Sequence, residues 1–155
     1  EQNIQLIVDE SFVDFSDDIE QNTLLQNDTL SENPHLVVMK SISKSYVVPG
    51  IRLGILCSAD TELISKMKKM VSIWNINSFA EYFMQMFTKY EKDYKRACEK
   101  FIAEREDFEQ MLRAISFLRV MSSQANYFLC EILPPKNARQ LVLTMLKRYN
   151  ILVRD

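Results

Sequence analysis

The sequence predicts an α/β fold, on three observations. Short apolar runs of strand length recur at residues 4–8, 36–40 and 53–58 and are separated by loop or helical crossings. Residues 79–114 hold neither glycine nor proline and are dense in Lys, Glu, Arg and Met, the composition of a long helix. The 155 residues include only two glycines and four prolines, so most of the chain is ordinary helix and strand.

The elements follow in order. Residues 4–8 fit a buried parallel strand that ends on Asp9, a position where functional side chains sit in open α/β sheets. Residues 16–34 are acidic and polar, with Asn27-Asp28 and Asn33-Pro34 as turn signals, and read as an exposed excursion with one helical turn. Two further strands are expected at 36–40 and 53–58. Asp60 is placed to cap a helix over 61–71, whose Leu63, Ile64, Met67 and Val71 share one face. Asn75-Ile76-Asn77-Ser78 breaks that helix. The span 79–114 is then helical, as two helices or one bent one. Residues 118–121 and 127–133 read as strands around a polar turn at Ser122-Ser123-Gln124, and Pro134-Pro135 stops the second. Asn137 caps a helix over 138–148 with Leu141, Met145 and Leu146 inward, Asn150 ends it, and 151–153 read as a last strand.

Bulk composition narrows the function. With 47% hydrophobic and 26% charged residues, the chain is ordinary for a globular protein. Its 19 basic and 21 acidic residues give a net charge of −2, which offers no footprint for nucleic acid. No apolar run approaches membrane-spanning length, and no signal peptide opens the chain. Cys57, Cys98 and Cys130 are odd in number and widely spaced, so they read as reduced thiols, two of them in core strands, in a cytoplasmic setting. One histidine, His35, without a Cys/His cluster argues against a metal site. Met67, Met70, Met84 and Met86 on the helices read as core filler.

The chemistry concentrates in Met39-Lys40-Ser41-Ile42-Ser43-Lys44-Ser45-Tyr46-Val47-Val48-Pro49-Gly50-Ile51-Arg52-Leu53-Gly54, which holds both glycines. In so glycine-poor a chain, each should mark an unusual conformation or a close approach. Ser41, Lys44 and Arg52 supply a hydroxyl, an amine and a guanidinium at fixed spacing. An amine forms a Schiff base with an aldehyde, and a hydroxyl with an arginine fork suits a phosphate. An isolated lysine is in most cases a solvated surface residue; Ser41, Gly50, Arg52 and Gly54 in register reverse that expectation for Lys44.

Ser-x-x-Lys followed by Gly-x-Arg-x-Gly resembles the lysine-site signature of the fold-type I aminotransferases that use pyridoxal 5′-phosphate (PLP). Asp9-Glu10-Ser11-Phe12-Val13-Asp14-Phe15 resembles the Asp-Glu-Ala-Tyr/Phe segment of histidinol-phosphate aminotransferases. Gln124-Ala125-Asn126-Tyr127-Phe128-Leu129 and Tyr149-Asn150-Ile151-Leu152-Val153-Arg154-Asp155 resemble later segments of the same subfamily, in the same order. The resemblance implies part of the PLP-binding large domain in residues 1–88. Residues 89–155 would hold a linking helix and a small, incomplete carboxy-terminal α/β subdomain. The chain then reads as a carboxy-terminal portion of a larger enzyme, with a looser resemblance to the aminotransferase half of nucleotidyltransferase fusions.

The implied site has Lys44 holding PLP and moving the proton at the substrate α-carbon. Arg52 and Ser41 would hold the phosphate, and Asp9 the pyridine nitrogen. Phe12 stands where many members carry a tyrosine bonded to the cofactor's 3-hydroxyl, a bond phenylalanine cannot make. Val47 stands where glycine or alanine is more usual. Arg154 would face the substrate, and a strand-end surface arginine is an equal reading. Pro49-Gly50 would turn Arg52 back beside Lys44. The implied function is transfer of an amino group between an amino acid or amino-alcohol phosphate and a 2-oxo acid, in a homodimer. The alternatives are decarboxylation of a phosphorylated amino acid at the same site, or a non-catalytic module that kept the scaffold.

Overall fold

The protein is described here by a computed structural model that covers residues 4–154. The polar tripeptide Glu1-Gln2-Asn3 and Asp155, the end of the last resembling segment, lie outside these residues. The chain divides into two compact units, Glu1–Phe101 and Ile102–Asp155.

The first unit is built on three strands in the order β1 (Leu6–Asp9), β2 (Leu36–Ser41), β3 (Gly54–Cys57). β1 runs parallel to β2, with Leu6 opposite Leu36 and Asp9 opposite Met39. β3 returns antiparallel, with Ser41 opposite Gly54 and Val38 opposite Cys57. The central strand β2 begins as an apolar run, Leu36 to Val38, covered on both faces. Leu36, Val37 and Val38 are all buried, Val38 completely, and each such side chain contributes roughly 1.5–3 kcal/mol.

Between β1 and β2 the acidic excursion carries two short helices, α1 (Ile19–Asn22) and α2 (Asn27–Glu32), where the sequence suggested one turn. Glu10 fastens it. This carboxylate is buried and accepts from the Thr23 hydroxyl at 2.8 Å and the Leu24 amide at 2.5 Å.

β2 passes directly into a single helical turn, α3 (Ile42–Ser45). After β3, Asp60 caps α4 (Thr61–Met70) by accepting from the Leu63 amide at 2.9 Å, as its position predicted. Asn77 then starts α5 (Ser78–Arg113), one continuous helix rather than two. The Asn77 side chain accepts from the Ala80 amide at 3.0 Å and donates to the Ile51 carbonyl at 2.8 Å. In this unit, Phe83, Phe87, Tyr94, Cys98 and Phe101 of α5 fall at helical spacing. Phe83, Phe87 and Tyr94 enclose Tyr46, and Phe101 meets Phe15 at 4.7 Å between ring centroids.

Three methionines expected in the core are exposed: Met67, Met84 and, at 85%, Met70. They share the outer surface with Ile73 and Trp74, which are 92% and 89% exposed. Their helices have an apolar side that no element of the described unit covers.

The second unit continues α5 into an antiparallel pair, β4 (Leu118–Val120) and β5 (Cys130–Ile132), with Leu118 opposite Ile132. Phe108 and Phe128 meet edge to face at 5.8 Å. The helix α6 (Ala138–Tyr149) follows, capped by Asn137, which accepts from the Gln140 amide at 3.3 Å. Asn150 takes the left-handed conformation at φ 56° and closes α6, as a C-terminal turn residue should. Leu146, expected inward, is 40% exposed. Residues 151–153, expected as a strand, are irregular and exposed. A strand exists only as part of a ladder, and among the described residues this segment has no pairing partner. The fold class is α/β, as the sequence predicted, and no described helix is long and apolar enough to cross a membrane.

Candidate active site at the end of the central strand

The register of the sheet puts the chemistry-bearing segments at one end. Asp9 closes β1, Ser41 closes the parallel neighbour β2, and Arg52 lies two residues before Gly54, which pairs with Ser41. Carboxyl ends of parallel strands are where α/β folds place their sites.

Asp9 is held by its own turn. Its Oδ1 accepts from the Ser11 amide at 2.9 Å and from the Ser11 hydroxyl, the local bonding aspartate favours in turns. Ser11, itself buried, accepts from the Ser41 amide at 2.9 Å. A single hydroxyl therefore joins the ends of β1 and β2. The Ser11 bonds hold the Asp9 carboxyl below the usual carboxylate value, with the positive charge of Lys44 adding to them against the cost of burial. Asp9 is thus a carboxylate at neutral pH.

Lys44 sits in α3, one turn beyond Ser41. The turn is closed by the Tyr46 amide on the Ile42 carbonyl at 3.3 Å and tied to β3 by the Ile42 amide on the Leu53 carbonyl at 3.1 Å. The Lys44 side chain is exposed, and its ammonium stands over the Phe12 ring, 4.5 Å from the centroid. Among the described residues Lys44 forms no ion pair. Ser41, though it stands at the start of α3, makes no side-chain capping bond there.

Arg52 is exposed, and its guanidinium donates to the Pro49 carbonyl at 3.2 Å. Its backbone is left-handed at φ 54°, and so is that of Val47 at φ 55°. Glycine and asparagine take this conformation readily; a β-branched valine does not. The structure thereby explains why glycine suits position 47.

The two glycines behave differently. A Cβ on Gly54 would lie 3.3 Å from the Lys40 carbonyl oxygen, so the close approach expected there is real. Gly50 has neither: its φ is ordinary and a Cβ would meet nothing within 4 Å. The unusual backbone falls on its neighbours Val47 and Arg52. Residues 49–51 form a short 3₁₀ turn, and nothing in the structure explains the glycine at 50.

Behind this edge lies a group that sequence reasoning passed over. Asp14 is buried, accepting from Lys40 Nζ at 2.5 Å on one carboxylate oxygen and from the Tyr94 hydroxyl at 2.7 Å on the other. Tyr94 lies flat on Tyr46, with ring centroids 4.3 Å apart and planes 4° from parallel. Burial, more than the nearby Asp14 charge, pushes the Tyr46 hydroxyl up to about 12 and also raises Tyr94. Ser45 is near enough to the Tyr94 hydroxyl to oppose that rise, but its own buried Oγ has no partner in hydrogen-bond geometry. The only sequence signal was the acidic residue five positions after Asp9, and it carries no chemistry of its own.

Asp9, Ser41, Lys44 and Arg52 form a set of polar groups that suits PLP, with the Phe12 ring beside the amine. A carboxylate can hold a protonated ring nitrogen, an uncommitted amine can meet an aldehyde, and a hydroxyl and guanidinium can meet a phosphate. Arg154 belongs to the second unit, exposed beyond α6.

The model of the family described as aminotransferase class I and II matches residues 1–155. The CMP-5′-(3-aminopropyl)phosphonate synthase of Streptomyces rubellomurinus is 31% identical over 99% of this chain and 24% of its own length. The L-serine phosphate decarboxylase of Sulfurospirillum multivorans is 30% identical over 97% of this chain and 39% of its length. The crystal structure of histidinol-phosphate aminotransferase from Clostridium acetobutylicum superposes with a TM-score of 0.82 at 28% identity, over 96% of this chain and 43% of that one. The chain therefore spans well under half of the proteins it resembles. Members of the family are PLP-dependent. Matched along its whole length, and sharing the fold of these relatives, this chain belongs to the class I and II aminotransferases.

Proposed function

We propose that the full-length protein is a PLP-dependent aminotransferase acting on an amino acid or amino-alcohol phosphate and a 2-oxo acid. The observation that carries this reading is the placement of Lys44 and Asp9 at the same end of the sheet. An amine without an ion pair stands one helical turn past β2, beside a carboxylate kept ionised at the end of the adjacent parallel strand. When bound, the cofactor supplies a ring that draws electrons from the substrate α-carbon. Asp9 keeps the ring nitrogen protonated. Lys44 would hold the cofactor through Nζ, and its free amine would move a proton at the substrate α-carbon. Ser41 and Arg52 bind the phosphate. Phe12 covers the Lys44 amine but donates no hydrogen bond.

A phosphorus-bearing substrate is supported by the names of the relatives, a phosphonate synthase, a serine phosphate decarboxylase and a histidinol-phosphate aminotransferase. The serine phosphate decarboxylase also favours a second reading, loss of carbon dioxide from a phosphorylated amino acid at the same lysine. A homodimer, in the cytoplasm, completes the proposal. The exposed apolar surface around Met70, Ile73, Trp74 and Phe79 is suited to association. Sedimentation of Trp74→Asp should show a monomer where the parent is a dimer.

Turnover tests the main reading. The full-length protein with PLP, L-phosphoserine and a 2-oxo acid should yield a new amino acid; release of carbon dioxide alone would establish the second reading. Lys44→Ala and Lys44→Arg should abolish both products, because a guanidinium stays protonated and cannot replace the amine.

A further inference from the structure

We propose that Asp14, Lys40 and Tyr94 form a buried brace that positions the turn bearing Lys44, so that the amine stays over Phe12 and beside Asp9. The proposal rests on the PLP reading of Lys44 and extends it to residues that do not touch cofactor or substrate.

The brace joins the segments that matter. Asp14 follows Asp9 by five residues in a 3₁₀ turn (Val13–Phe15), and Lys40 precedes Lys44 by four on β2. Tyr94, on α5, lies flat against Tyr46, two residues after Lys44. One carboxylate therefore holds the strand entering the Lys44 turn through one oxygen, and through the other the ring that covers the residue leaving it. The pair is deeply buried, with the Lys40 and Asp14 side chains 11% and 7% exposed. Burying an ion pair adds little net stability, since desolvation offsets the attraction. What two oxygens meeting two donors do fix is geometry. Without the Tyr94 bond the ring stack can slide, and α3 can rotate about its axis. A rotation of one residue's width carries the amine away from Asp9.

The test uses the full-length protein loaded with PLP. Tyr94→Phe removes one hydroxyl and keeps the stacked ring. The pH midpoint of the bound cofactor's visible absorption should move by about half a unit. The kcat should fall about ten-fold with KM nearly unchanged, as expected when a reacting group is displaced rather than substrate binding lost. Leu63→Ala on α4, outside the brace, should lower the melting temperature at least as much and leave the midpoint where it was. If Tyr94→Phe fails to fold, Lys40→Arg, which keeps the charge and alters its reach, is read by the same midpoint. An unmoved midpoint in the brace variant, or an equal shift in Leu63→Ala, overturns the proposal. Lys44→Ala separates the two levels: if it retains the visible band, the PLP reading itself fails, whatever the brace variants show.

Discussion

The two sides of Lys44 are built in opposite ways. Toward β1 the backbone is tied by side chains with defined partners: Ser11 bridges Asp9 and Ser41, Glu10 holds the excursion, and Asp14 takes both Lys40 and Tyr94. Toward β3 the chain is exposed and strained, with left-handed backbone at Val47 and Arg52 and the Val47 side chain 80% exposed. The difference suits a division of labour. A lysine that must face one carboxylate needs a fixed base, whereas an arginine that must close on a phosphate can stand on a loop stabilised by what it binds. Strain of this kind costs about 1–3 kcal/mol per residue and persists where the surroundings impose it.

The largest effect should come from breaking the tied side. Lys40→Met leaves the Asp14 carboxylate buried with one donor, and denaturant unfolding should show a loss of about 3–5 kcal/mol. Replacing both partners, Asp14→Leu with Lys40→Met, should recover much of it, because neither buried charge then remains. Gly54→Ala comes next. The added methyl meets the Lys40 carbonyl at 3.3 Å, so β2 and β3 must part slightly, at a cost of about 1–2 kcal/mol.

On the strained side the sign reverses. Val47→Asn puts in a residue that tolerates the left-handed region, and should stabilise by about 1 kcal/mol. A neutral or destabilising result would mean that valine is held there by contacts worth more than the strain.

Near neutrality the remaining effects vanish, and they emerge only at the extremes of pH. Tyr46 titrates near 10 in the unfolded chain and is raised to about 12 in the fold. Between those values the unfolded state has lost a proton that the folded state keeps, so stability should fall as pH rises from 10 toward 12. Tyr46→Phe should lessen that decline, leaving the share that the raised Tyr94 contributes, without altering stability near neutrality. At the acid end, Asp9 is lowered from 3.8, so its contribution is present above that value and is lost as pH falls through its folded value. Asp9→Asn should remove that acid dependence.

The same contrast separates what the sequence could disclose from what it could not. Elements that announce themselves locally were legible: the apolar runs of β1, β2 and β3, the caps at Asp60 and Asn137, and the turn at Asn150; burial was not, since β1, expected buried, has Leu6 and Ile7 more than half exposed. The Ser-x-x-Lys spacing likewise led to the one end of the sheet where Asp9, Ser41 and Arg52 gather. Features set by distant partners were not. Residues 151–153 are an apolar run like a strand but have no neighbour to pair with among the described residues, and the methionines of α4 and α5 have helical spacing but no described surface against them. Asp14, Lys40 and Tyr94 meet across 26 and 80 residues of sequence, and no local pattern reports such a meeting. Gly50 shows the converse error. Its being glycine suggests an unusual backbone or a close approach, while the positive φ angles fall on Val47 and Arg52.

The central claim is that Lys44 is the residue that holds the cofactor. Full-length protein is incubated with PLP and reduced with borohydride, and its peptides are mapped by mass. The cofactor-derived mass is expected on Lys44 alone, in the peptide that also contains Ser41. The mass on Lys40 or another lysine, or on none, would contradict it.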